Sequence, residues 1–245
     1  MTDLSYENAP VQIRADLAAA HRRLWRHMAG PGTWLDGQSR VAVAAETRNA
    51  PACALCHQRK SALSPYRDDR THDHLGALPE TEVEMIHRIV TDPGRLKRAW
   101  YQGLLDDGMT EEQYVEILGV VCTTISVDTF ARAVGMALPR LPEPVAGDPS
   151  KVRPSNATQG AAWVSWIARE DAAGEDLETF GPEASNVRRA LSLVPAEAHS
   201  FMEMGAAQYL SADQMRDFDN DPRVITRQQI ELIAGRISAI NQCAY

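Results

Sequence analysis

The chain has 245 residues, a formal net charge of −8, and an apolar content of 44% of which only a small part is aromatic (6% of the chain). That length holds one large domain or two small ones with a real core. Filling by Ala, Leu, Ile and Val suits packed helices better than an aromatic-rich β-sandwich. The acidity argues against a nucleic-acid face, which needs clustered Lys and Arg to displace counterions.

The N-terminus "MTDLSYENAP" has neither a basic start nor an apolar run, so no secretory signal is expected. No stretch approaches 18 uncharged apolar residues, so no membrane span is expected, and the cytoplasm is the expected compartment. Four cysteines in a chain of this length do not make a disulfide scaffold. The first basic run, His21, Arg22, Arg23, Arg26 and His27, is broken by Leu24 and Trp25 and reads as the solvated side of a helix. "RVAVAAE" (40–46) alternates briefly but lies in an Ala-rich run that fits a helix equally well.

"NAPACALCHQRK" (49–60) is the most chemically pointed stretch. Asn49 and Pro51 are helix-start residues and place Cys53 in a first turn, with Cys56 one turn on and His57 behind it. The unpaired N–H groups of a helix start stabilise a thiolate, so the pair reads first as a redox dithiol. Three alternatives stand beside it. "CALCH" matches the c-type haem attachment pattern, which belongs to exported proteins. A zinc site could combine Cys53 and Cys56 with His72 and His74 of "THDH", although that His spacing departs from the commoner one. Two thiols can also simply pack in a core.

"ALPETEVEMIHRIV" reads as a helix from Pro79 with Val83, Ile86 and Val90 on one face, and His87 at the edge of that stripe as a surface histidine. A turn at 91–94 ends it, and "RLKRAWYQGLL" resumes. Thr110 and Gln113 form a capping box that opens a helix carrying Tyr114, Leu118, Val121 and Ile125, with Cys122 in its core. Five prolines between 138 and 160 break the pattern, predicting a first unit over 1–145, a linker over 146–160 and a second unit over 161–245. "FMEMGAAQYL" (201–210) reads as a core-facing helix. Thr226 and Gln229 repeat the capping box ahead of an apolar stripe of Ile230, Ile233, Ile237 and Ile240. The whole is predicted to be all-α. No phosphate loop, G-x-S-x-G elbow or H-E-x-x-H occurs.

"ITRQQIELIAGRISAINQCAY" resembles the AhpD-like alkylhydroperoxidase / carboxymuconolactone decarboxylase family, whose motif runs Glu-x11-Cys-x-x-Cys-x3-His. Glu231 and Cys243 match its first two elements, and the next two would fall beyond Tyr245, so a tail beginning with another Cys is expected. Cys53, Cys56 and the run "MTEEQYVEILGVVCTTISVDTFARAVG" carry the same resemblance in the first half. The resemblance implies two AhpD-like helical units in a homo-oligomer. It also implies a cofactor-free reaction in which a dithiol reduces a hydroperoxide or disulfide and an external dithiol regenerates it. It further implies that Cys56, second of its pair, meets the peroxide. The family's Glu and His positions are filled in the first half by Val41 and Lys60, so Glu46 and His57 are the substitute proton handlers. The catalytic candidates are therefore Cys53, Cys56, Glu46, His57, Glu231 and Cys243. The alternatives are a cofactor-free lactone decarboxylase, which the Cys pair argues against, and a non-catalytic helical assembly protein with packed or zinc-bound cysteines.

Overall fold

The computed structural model describes residues 4–65, 71–174, 176–182, 184–241 and 243. The described chain is mostly helical, with one small two-stranded sheet. It divides into two compact units, Met1–Met204 and Gly205–Tyr245.

In the first unit α1 (Ala15–Ala29), α2 (Gly37–Asn49), α4 (Glu80–Thr91) and α6 (Glu111–Ala133) surround one core, and α3 (Ala54–Ser61) and α5 (Arg98–Asp106) lie between them in sequence. The capping box on α6 forms as expected: Thr110 Oγ1 accepts from the Gln113 amide and the Gln113 side chain accepts from the Thr110 amide. α6 is apolar on most sides and so takes the middle of the unit. Ile117, Val120, Val121 and Val127 are all buried among Trp25 and Met28 of α1, Val43 and Ala44 of α2 and Ile86 of α4. By length and composition α6 could cross a membrane. Its buried carboxylates instead meet arginines of α2: Glu116 faces Arg40 at 2.5 Å, and Asp128 takes a two-pronged contact from Arg48 at 2.7 and 2.8 Å.

The segment predicted as a linker packs on this unit rather than separating two. No helix or strand occurs between residues 136 and 156, yet the Ser150 amide donates to the Gly32 carbonyl and the Lys151 amide to the Thr33 carbonyl, as the Val145 amide just before them does to the Ala29 carbonyl. Beyond it, β1 (Ala157–Thr158) pairs antiparallel with β2 (Trp166–Ile167). Two short helices follow, α7 (Asp176–Phe180) and α8 (Asn186–Arg189), then α9 (Pro195–Gln208). Ile167, Phe180, Leu193, Val194 and Ala198 join the same core as α2 and α6. The compact units therefore part at Met204 and Gly205, well beyond the proline-rich stretch.

A buried polar cluster ties these parts together. Glu197 of α9 accepts from Arg40 Nη1 at 2.7 Å and lies 2.8 Å from His27 Nε2, while Glu116 also accepts from the Trp34 amide. Gly119 of α6 leaves the room: a Cβ there would run into the side chain of Glu197.

The basic run of α1 is not a purely solvated face, because His21 is fully buried. Its Nδ1 lies 2.6 Å from Tyr6 Oη, and Phe130 meets its ring edge-on. Burial pushes the imidazole down to about 4, so His21 folds neutral. A value below that of the unfolded chain means stability present above the ordinary histidine range and lost as pH falls through the folded value. The gap is worth about 3 kcal/mol, at ~1.4 kcal/mol per pH unit. Urea unfolding at about pH 7 and about pH 4 should show an acid loss in the wild type that His21→Gln reduces by that order. Equal losses in the two proteins would contradict it.

The second unit contains the end of α9, α10 (Ala212–Arg216) and α11 (Arg227–Ile240). Capping boxes form at Ser211/Gln214 and at Thr226/Gln229. The predicted core stripe of α11 is corrected: Ile230 is buried, but Ile233, Ile237 and Ile240 are 51%, 53% and 64% exposed.

Candidate functional site

Four side chains from three segments of the chain meet inside the first unit. A 3₁₀ turn at Ala50–Ala52 follows α2, and Cys53 is the residue immediately before α3. Cys56 is in the first turn of that helix, His72 lies in the loop before α4, and His87 is on α4. All four are buried, and their ligand atoms (two Sγ, two ring nitrogens) lie within 4.8 Å of one another. Cys53 Sγ and Cys56 Sγ are each 3.5 Å from His72 Nδ1, and Cys56 Sγ is 3.3 Å from His87 Nδ1.

A carboxylate holds the far nitrogen of each histidine. His87 Nε2 lies 2.8 Å from Glu46 Oε1, and His72 Nε2 lies 2.7 Å from Glu84 Oε2. The carboxylates are themselves fixed. Glu46 accepts from the Leu75 amide and Asn49 Nδ2; Glu84 accepts from Arg59 Nη1 and Trp100 Nε1. Both partners of the cysteines thus present Nδ1 to sulfur because Nε2 is committed elsewhere.

Electrostatics follow from these contacts. Burial works against the Cys53 thiolate, but the amides of Cys56 and Asp73, together with His72, outweigh it and lower the thiol's pKa. Burial also opposes charge on His72, yet its contacts with Cys56, Glu84 and Cys53 push the imidazole up to about 10. Glu84 is held down to about 2 despite its burial, by His72 and Arg59. Burial lowers His87 and outweighs the opposing pull of Glu46. Glu46 is held below the ordinary carboxylate range because its hydrogen bonds with His87, Leu75 and Asn49 outweigh burial.

A cavity of about 240 Å³ reaches the site on one side, lined by Pro51, Cys56, His57, Lys60, Val90 and Thr91. A second, of about 350 Å³, reaches His72 and Glu84 past Thr81 and Leu104.

Of the candidates named from sequence, Cys53, Cys56 and Glu46 come together here. Glu46 arrives through His87, because α2 ends at Asn49 and does not run on to Cys53. His57 is exposed at the mouth of the first cavity and is not in contact distance of either sulfur among the described contacts. Glu231 and Cys243 belong to the other compact unit. Glu231 is exposed on α11, bonded to Tyr209 Oη and Arg227, and Cys243 is exposed. His74 is exposed and pairs with Glu80, so it is not the histidine that joins Cys53, Cys56 and His72. That histidine is His87, which is fully buried and not on the helix surface. His87 and Glu84 complete this cluster and are not among the catalytic candidates named from sequence. His87 stands four residues after Val83 and three before Val90, on the apolar stripe itself, and that spacing was the available signal. Cys122 is elsewhere, within α6, where burial pushes its thiol up to about 11.

No family model, curated protein or solved structure matches the chain. The AhpD-like resemblance therefore rests on the residues of the sequence alone.

Proposed function

We propose that the first unit is a thiol oxidoreductase in which Cys56 attacks a hydroperoxide and Cys53 resolves the product. The observation that carries this reading is the chain Cys56 Sγ, His87 Nδ1, His87 Nε2, Glu46 Oε1, with steps of 3.3 and 2.8 Å across its two contacts. With Glu46 ionised and accepting from Nε2–H, the Nδ1 lone pair faces the thiol and can take its proton. Cys56 also lines a cavity, which gives a small peroxide a route to it.

The thiolate attacks the outer peroxide oxygen, the O–O bond breaks, and His87 returns the proton to the departing alkoxide. Cys56–SH and ROOH thereby become Cys56–SOH and ROH. Cys53–SH then displaces water from the sulfenic acid and closes the Cys53–Cys56 disulfide, which an external dithiol reopens by exchange. An AhpD-like architecture of two units, acting as a homo-oligomer, belongs to the same proposal on the strength of the sequence resemblance.

Peroxide consumption with a dithiol reductant, on chelator-treated protein, tests the reading. Cys56→Ser should lose the activity, while Cys53→Ser should retain a single turnover that ends at the sulfenic acid. Equal steady-state rates in wild type and Cys56→Ser would remove the pair from the chemistry.

A further inference from the structure

The redox cycle uses one histidine, yet two are built around the cysteine pair. His72 is held as firmly as His87, with its Nδ1 3.5 Å from both sulfurs and its Nε2 on a carboxylate. We propose that Cys53, Cys56, His72 and His87 form a tetrahedral Cys₂His₂ site for a divalent zinc ion.

Zinc takes thiolate at about 2.3 Å and imidazole at about 2.0–2.1 Å, so the sulfur–nitrogen edge of its tetrahedron is about 3.5 Å. Three of the four sulfur–nitrogen edges here are 3.5, 3.5 and 3.3 Å, and the fourth, from Cys53 to His87, is within 4.8 Å. The four atoms come from three elements of the unit and are all buried, which suits a closed structural-type site. Borderline-soft sulfur and imidazole together select zinc over magnesium or calcium, and both carboxylates face the histidines rather than the sulfurs. That arrangement, with a carboxylate on the far nitrogen of each ligating imidazole, orients the ring and raises its basicity toward a metal. Amide N–H groups of Cys56 and Asp73 directed at Cys53 Sγ further stabilise thiolate charge.

Zinc and peroxide draw on the same sulfur electrons, so the metal-bound and disulfide forms exclude one another. The zinc form keeps the dithiol reduced. Oxidation of the two thiolates to a disulfide, with reduction of one hydroperoxide to alcohol and water and uptake of two protons, releases the ion. The metal site itself stands independently of the peroxidase reading.

The test is metal content by elemental analysis of protein purified without chelator, followed by cobalt(II) titration of the stripped protein under reducing conditions. The expected results are one zinc per chain, and intense visible bands of tetrahedral cobalt with thiolate charge transfer, saturating at one equivalent. His74→Ala should leave both unchanged. Glu84→Gln should weaken cobalt binding by ~10–100-fold, as loss of a carboxylate behind a ligating histidine does elsewhere. The wild-type titration needs no variant to fold. Zinc only at trace level together with a pale octahedral cobalt spectrum would overturn the inference, and so would undiminished thiolate charge-transfer intensity and affinity in a helical, folded Cys53→Ala protein. Stripped protein that binds cobalt tetrahedrally but ignores peroxide would defeat the peroxidase reading alone. Stripped protein that consumes peroxide but shows no tetrahedral cobalt would defeat the metal site alone.

Discussion

Replacing His87 with asparagine is expected to slow oxidation of Cys56 by hydroperoxide by ~10²–10⁴-fold, the usual worth of a positioned proton acceptor. The thiol has a basic nitrogen at 3.3 Å in the wild type. Asparagine is too short to keep both that contact and the one to Glu46, and its amide has no basic lone pair. The loss should appear in the second-order rate of thiol oxidation, followed as disappearance of titratable thiol in stripped protein. Glu46→Gln should cost less, since the side chain can still accept from His87 Nε2 while the carboxylate charge that sets the tautomer is gone. A His87→Asn protein that oxidises at the wild-type rate and keeps its helical signal would show that Cys56 draws its reactivity from elsewhere.

The largest stability effect is expected at Arg40. Its guanidinium lies between Glu116 and Glu197 at 2.5 and 2.7 Å, with all three side chains buried. Glu116 is raised, chiefly by burial, and Glu197 is lowered because Arg40 and His27 outweigh burial, so one cation balances an unequal carboxylate pair. Arg40→Met keeps much of the volume but leaves that pair without its cation in the core. Breaking a buried ion pair from one side costs ~3–5 kcal/mol. For a unit of this size the melting temperature should fall by roughly 10 °C, at about 2–4 °C per kcal/mol. Adding Glu116→Gln and Glu197→Gln removes the stranded charge, and the Gln oxygens can still accept from the Trp34 amide and His27. The triple variant should therefore recover more than half of the loss. If it melts lower than Arg40→Met, the cost lies in packing around the guanidinium and not in uncompensated charge.

Local rules carried the sequence reading where the physics is local. Both expected capping boxes form, because Thr110 with Gln113 and Thr226 with Gln229 need only three residues of spacing. The helical class followed from composition and periodicity, and the helix across 40–46 forms as part of α2. The Cys pair was legible for the same reason. Its partners were not. Cys56 and His87 are 31 residues apart, and His87 and Glu46 are 41 apart, so only the packing of α2 and α4 brings them together. "THDH" offered two histidines and the loop uses the first, sending His74 to Glu80 at the surface. Periodicity also misled in α11. It reported an apolar face correctly but could not say whether anything covers it, and Ile233, Ile237 and Ile240 are exposed. Prolines at 139–154 did exclude regular structure. They did not end the unit, because a chain without helix can still lie along a core and bond its backbone to it, as Val145 does with Ala29.

The central claim is that Cys53 and Cys56 are one reactive pair served by buried histidines. It is met most directly by mapping the products of one equivalent of hydroperoxide on stripped, reduced protein. The expected product is a peptide-mapped Cys53–Cys56 disulfide formed with one alcohol per disulfide, with Cys122 still a thiol. Peroxide left unreacted, or oxidation confined to the exposed Cys243 while Cys53 and Cys56 stay reduced, would contradict it.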